Sequence, residues 1–190
     1  MISQNLSSYA ASVAAANGNA ISQTALLNLF QVQRNLIFNS MIPIAEVLVK
    51  PRSTQINFEY WGLLPFARGS VHISSNQSTV PPTINHNYFM LDWQLFEQIG
   101  TAKFIRRFIN TNPFKGLVGA EVKPGFETIP PNATDDAWRA WIVDSCEITH
   151  LSLPILHFSF SFLSQRSLSE LKTWRVILLS RNCRVRMRMR

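Results

Sequence analysis

Residues 58–73 read Phe58-Glu-Tyr-Trp-Gly-Leu-Leu-Pro-Phe-Ala-Arg-Gly-Ser-Val-His-Ile73, and the chain continues through Pro81-Pro-Thr-Ile-Asn-His-Asn-Tyr-Phe89 into a helix-like run opening at Asp92. Just before and within this stretch, Ile56, Phe58 and Tyr60 alternate with polar Asn57 and Glu59, the period of two expected of a half-buried strand. Upstream, Ile44 to Val49 is β-rich and bounded by Pro43 and Pro51, which predicts a preceding strand. Downstream, Gly69 to Ser74 predicts a third, with Val71 and Ile73 on one face and Ser70, His72 and Ser74 on the other. The short connection between the last two leaves no room for a crossover helix, so the sheet is expected to be antiparallel. Asn76-Gln77-Ser78 and Pro81-Pro82 predict an extended polar connection, with Tyr88 and Phe89 as anchors beneath it.

Helices are expected on either side. Alanine-rich Ser7 to Ala16 ends at Asn17-Gly18, a stop suited to a left-handed cap. Ser22 is placed to cap a second helix whose Leu26, Leu29, Phe30, Gln33, Leu36 and Ile37 recur every three or four residues. Asp92 is the expected cap of the longest helix, with Trp93, Phe96, Ile99 and Ala102 as its apolar face and Lys103, Arg106 and Arg107 in its last turns, before Asn112-Pro113. Thr134 can cap one more, with Asp135 and Asp136 in its first turn and Trp138, Trp141 and Ile142 as a buried stripe. The fold class is therefore α+β, an antiparallel sheet with flanking helices.

A length of 190 residues and 46% hydrophobic content suit one domain with a real core. The formal charge of +7 is unevenly spread: 10 Lys and Arg face 9 Asp and Glu up to Cys146, against 8 and 2 from Glu147 onward. Two cysteines, Cys146 and Cys183, exclude a thiol-built zinc cluster, and free thiols are the expectation. Asn5-Leu6-Ser7, Asn76-Gln77-Ser78 and Asn132-Ala133-Thr134 are glycosylation triplets, meaningful only in a secretory pathway. No basic and apolar leader is visible at Met1, which leaves localisation open, and the longest apolar run, Leu151 to Leu163, is too short for a bilayer span.

The ordered motifs between Trp61 and Lys103, with Arg68-Gly69 in a Pro-Phe-Ala-Arg-Gly-Ser turn, resemble the substrate domain of the glucose-methanol-choline (GMC) flavoenzymes, most of all the fungal glucose-oxidase-like and aryl-alcohol-oxidase-like members. The resemblance covers most of residues 1–146 and implies FAD as cofactor and oxidation of an alcohol or sugar substrate. It also implies that Tyr60 and Trp61 border a substrate pocket, and that Arg68 makes an ion pair while Gly69 supplies a turn. In that family a catalytic histidine follows the helix corresponding to Thr134–Cys146, inside a His-Pro-x-Gly-Thr motif. Here His150 falls near the place but is followed by Leu-Ser-Leu-Pro, which leaves it a weak candidate for the base.

A dinucleotide site needs a glycine-rich turn that brings backbone N–H groups and a helix N-terminus against the pyrophosphate. The seven glycines, at 18, 62, 69, 100, 116, 119 and 125, form no such pattern, so no cofactor-binding residue can be assigned and FAD binding by this chain alone is not expected. His72 and His86 lack metal-ligand or triad partners at useful spacing, and no metal site is predicted. The expectation is an incomplete, inactive oxidoreductase-family chain: a partial substrate domain over residues 1–146 and a divergent basic tail over 147–190, outside the fold and disordered. Arg184, Arg186, Arg188 and Arg190 alternate with Val185, Met187 and Met189, so as a strand the tail would carry arginines on one face only. The alternative is a non-catalytic binding protein whose arginine tail engages nucleic acid or an acidic surface.

Overall fold

The computed structural model describes residues 2–147 and 183–190. Helices α1 (Ile2–Ala16) and α2 (Gln23–Phe38) precede the hairpin of β1 (Ala45–Arg52) and β2 (Gln55–Gly62); β3 (Ser70–His72) and β4 (Thr83–Asn85) follow. Then come α3 (Asp92–Ile109), the single turn α4 (Phe114–Leu117), β5 (Glu121–Lys123), α5 (Asp135–Ser145) and β6 (Val185–Met189). The main sheet has the order β1-β2-β6-β5 and every pairing in it is antiparallel. Helices and an antiparallel sheet make an α+β architecture, as expected.

The last strand corrects the expectation of a disordered tail over its final residues. β6 lies inside the sheet, with Val185 opposite Tyr60, Met187 opposite Phe58 and Met189 opposite Ile56. Its alternation explains why: Val185, Met187 and Met189 are fully buried, whereas Arg184, Arg186 and Arg188 stay partly exposed on the other face. Arginine-rich composition suggests a solvated tail, but a period of two hides every second residue and leaves the charges outside. Cys146 and Cys183 are joined by a disulfide, which replaces the expected free thiols. Beside it, Glu147 and Arg184 exchange both backbone hydrogen bonds, at 3.1 Å each, so α5 delivers the chain to the edge of β6.

Two hydrophobic clusters divide the interior. One joins Phe58, Tyr60, Val185, Met187 and Met189 of the sheet to Leu95, Ile99, Ala102 and Ile105 of α3 and to Trp138, Trp141 and Ile142 of α5. Thr134 caps α5 as predicted, its hydroxyl accepting from the Ala137 N–H. Arg106 locks this layer: it makes two bonds to the Glu121 carboxylate, at 2.7 and 2.9 Å, donates to the Ile129 carbonyl and lies 4.4 Å from the Trp138 ring centroid. Such a bidentate, stacked geometry is one that lysine does not reproduce.

The second cluster is helical, with Leu6, Tyr9, Ala10 and Val13 of α1 against Leu26, Phe30 and Ile37 of α2 and against Phe66 and Trp93. Gly18 ends α1 with a positive φ of 59°, and Ser22 caps α2 by accepting from Ala25, both as expected. Two expectations about helix faces and one about a cap fail. Leu29 and Leu36 are exposed, because the buried stripe of α2 is the narrower set Leu26, Phe30, Gln33 and Ile37. Phe96 is likewise exposed on α3, while Gln94, Glu97 and Gln98 are buried. Asp92 is the first helical residue rather than the cap, which falls on Leu91.

β3 also departs from expectation. It pairs with β4 in a separate two-stranded sheet instead of extending the β1-β2 hairpin, whose free side is taken by β6. The predicted alternation of faces is not seen: Ser70 is buried, Val71 and His72 are both partly buried, and Ile73, beyond the strand, is 71% exposed. Gly69 supplies close approach: a Cβ there would lie 2.4 Å from the Asn85 carbonyl oxygen and 3.0 Å from that of His86. Both are backbone atoms that cannot rotate away, so Gly69→Ala is expected to prise the chain leading into β3 from β4 and to lower stability by about 1–3 kcal/mol. A urea midpoint equal to that of the parent chain would count against this.

Candidate functional site

Alternation along β2 sends Phe58 and Tyr60 into the core and Asn57, Glu59 and Trp61 to the opposite face. On that outer face Glu59 stands opposite Leu48 of β1 and Arg186 of β6, and Trp61 stands opposite Glu46. Glu59 is only 3% exposed, yet three cations reach it: Lys50 Nζ at 2.7 Å, Arg184 Nη1 at 3.0 Å and Arg186 at 3.2 Å. Glu147 accepts from Arg184 at 3.4 Å and lies 3.6 Å from Arg186, which makes a charged network across three strands and the end of α5.

Burial pushes the Glu59 carboxyl upward, but the bond from Lys50 and the charges of Arg184, Lys50 and Arg186 outweigh it and hold the group below its usual 4.5. A carboxyl with a depressed folded-state pKa stabilises the fold above the unfolded-state value and loses that contribution as pH falls through the folded one. The urea midpoint is therefore expected to drop on acidification below about pH 4.5. Glu59→Gln should be less stable at neutral pH and lack this component of the acid slope. Parallel acid profiles for the two proteins would sink the assignment.

The sequence-derived candidates are dispersed. Tyr60 has no exposed surface, and burial drives its hydroxyl pKa upward; among the described residues that hydroxyl has no hydrogen-bond partner. It is a core residue in this chain, because its register opposite Val185 points it away from solvent. Trp61 stays partly exposed on the outer face. His150 lies outside the described residues. His72 is partly exposed on β3, and His86 stacks on Tyr88 with ring centroids 5.2 Å apart.

Arg68 makes no ion pair among the described residues. Its guanidinium donates to the carbonyls of Pro65 and Ala67 and to Gln33 Oε1, lies 5.5 Å from the Phe30 centroid, and is brought down by burial to about 10. Asn17 bridges Val13 and the Arg68 carbonyl, so α1, α2 and the Arg68-Gly69 segment share one buried polar clamp. A shallow depression beside it, lined by Val13, Ala14, Asn17, Ile21, Leu26 and Arg68, leaves no space for a water molecule. Ligand pockets run to about 300–1,000 Å³, and a dinucleotide needs a glycine-rich cradle besides. The described residues draw no such glycine-rich cradle. They also hold no group of three or more His, Cys, Asp or Glu placed to bind a metal, and no helix among them is long and apolar enough to cross a membrane.

Glu59 and its cations are what sequence reading missed. Glu59 counted there only as a polar position in an alternating strand, and the partners on β6 lie about 125 residues away in the chain. The arginine alternation was the one visible signal.

An antiparallel sheet with partly exposed Trp61 on the face of the caged Glu59 carboxylate, and no glycine-rich cradle among the described residues, defines a helix-flanked α+β unit. Comparison with known proteins gives its relationship: the chain is related to the GMC oxidoreductases. It is 34% identical over 142 residues to the glucose oxidase-like protein fsoC of Humicola fuscoatra, a span that covers 74% of this chain and 24% of that protein. The glucose oxidase of Penicillium chrysogenum is 30% identical over 129 residues, 67% of this chain and 21% of its own length. The GMC oxidoreductase family protein Mala s 12 of Malassezia sympodialis is 29% identical over 106 residues, 56% and 16% respectively. The chain thus spans a quarter or less of the length of these curated relatives. No protein-family model matches it.

Proposed function

We propose that residues 1–146 correspond to part of the substrate domain of a GMC-type oxidoreductase, and that the outer sheet face around Trp61 is the side turned toward an alcohol or sugar substrate. The observation that carries this reading is the 34% identity over 142 residues to a glucose oxidase-like protein of which this chain spans 24%. In that role Trp61 offers an aromatic face suited to a sugar or aryl alcohol, and the Glu59 cage keeps β1, β2 and β6 in register beneath it. FAD, when bound by a complete enzyme of this kind, accepts the hydride. This chain's residues would shape and line the substrate side and leave the flavin to polypeptide outside it. On its own the chain is inactive.

The binding alternative loses weight from the same geometry. Arg184 and Arg186 are engaged by Glu59 and Glu147, which reduces the free positive charge a polyanion would meet. The experiment is direct: purify the chain in the presence of FAD, then record the visible flavin spectrum and its bleaching by glucose or benzyl alcohol under anaerobic conditions. No bound flavin and no reduction are expected. Stoichiometric flavin uptake with substrate-dependent bleaching would overturn the proposal.

A further inference from the structure

The three Asn-x-Ser/Thr triplets sit in unlike surroundings. Asn76 lies in the β3–β4 connection, where Asn76, Gln77 and Ser78 are all exposed; Gln77 N–H donates to Ser75 Oγ and Val80 N–H to the Gln77 carbonyl, so the acceptor projects from a tight turn. Asn132 is exposed in the turn closed by Ala133 N–H on the Pro130 carbonyl, immediately ahead of the α5 cap. Asn5 differs from both. It lies on α1, is only partly exposed, and is flanked by buried Ile2, Leu6 and Tyr9.

The Cys146–Cys183 disulfide is an independent observation pointing the same way, because such bonds form and persist in the oxidising compartments where N-glycans are added. We infer that Asn76 and Asn132 are N-glycan acceptors in the mature protein and that Asn5 is not. A glycan on either turn projects into solvent and disturbs no packed group. On Asn5 it would replace an amide proton with a bulky sugar beside buried Ile2, Leu6 and Tyr9 of the α1–α2 cluster, so chains bearing it would not pack α1. This inference stands apart from the flavoenzyme reading.

The test is to express the whole chain behind a secretory leader in yeast, release its glycans with peptide N-glycosidase in heavy-oxygen water, and map the labelled asparagines by mass spectrometry under non-reducing conditions. Label is expected on Asn76 and Asn132 in most secreted molecules and essentially none on Asn5, with Cys146 and Cys183 recovered as one cross-linked peptide. Asn76→Gln and Asn132→Gln should each remove one glycan step on a gel, and Asn5→Gln none. Bare Asn76 and Asn132, equal labelling at all three sites, or free thiols in the secreted chain would each overturn the assignment.

Discussion

Met187→Asp is expected to abolish the cooperative unfolding transition, and Met187→Ala to lower stability by about 2–5 kcal/mol. Met187 is fully buried opposite Phe58 in the cluster that joins the sheet to α3 and α5. Truncation leaves a cavity there, whereas aspartate places an unpaired charge in an apolar interior. Against a typical domain stability of about 5–15 kcal/mol, the second change is decisive. Arg190→Ala, on an exposed side chain at the same end of β6, is the control and should unfold like the parent. Urea titration followed by near-ultraviolet circular dichroism reads all three. If Met187→Asp melts with the parent midpoint, β6 does not occupy the centre of the sheet.

The Cys146→Ser, Cys183→Ser double variant is expected to lose about 4 kcal/mol, the chain-entropy value for a loop of this size. The bond closes a separation of 37 residues and holds β6 where it pairs with both β2 and β5. Without it, the unfolded ensemble regains the freedom that closure removes. Dithiothreitol should shift the urea midpoint of the parent chain to that of the double variant and leave the double variant unmoved. Equal midpoints for the parent with and without reductant would rule out a structural bond.

Much of the fold was legible from local pattern. The caps at Ser22 and Thr134, the stop at Gly18, the presence of strands at β1 and β2 and the Trp138, Trp141 and Ile142 stripe follow from spacing and side-chain chemistry within a few residues. What was not legible depends on partners far along the chain. Arg68 reads as an ion-pairing residue, but Gln33 and two carbonyls occupy its donors, and no local rule predicts that. Alternation along the strand reads Tyr60 as core while the family resemblance reads it as pocket, and only the seating of Val185 opposite it decides between them. β3 was assigned to the wrong sheet because the strand that displaces it is separated from it by more than a hundred residues. The candidate site fared worst, since two of the three cations around Glu59 arrive on β6.

The position of β6 also governs how the molecule is assembled. β2 and β5 are not neighbours in the strand order; β5 finds a partner strand, and β2 a second one besides β1, when β6 arrives between them. Until then both present unpaired edges, and β2 carries Ile56, Phe58 and Tyr60 on an uncovered apolar face. Pairings across such sequence separation form slowly, so strand addition by another copy is expected to compete with closure of the sheet. Recovery on refolding should therefore fall steeply with protein concentration.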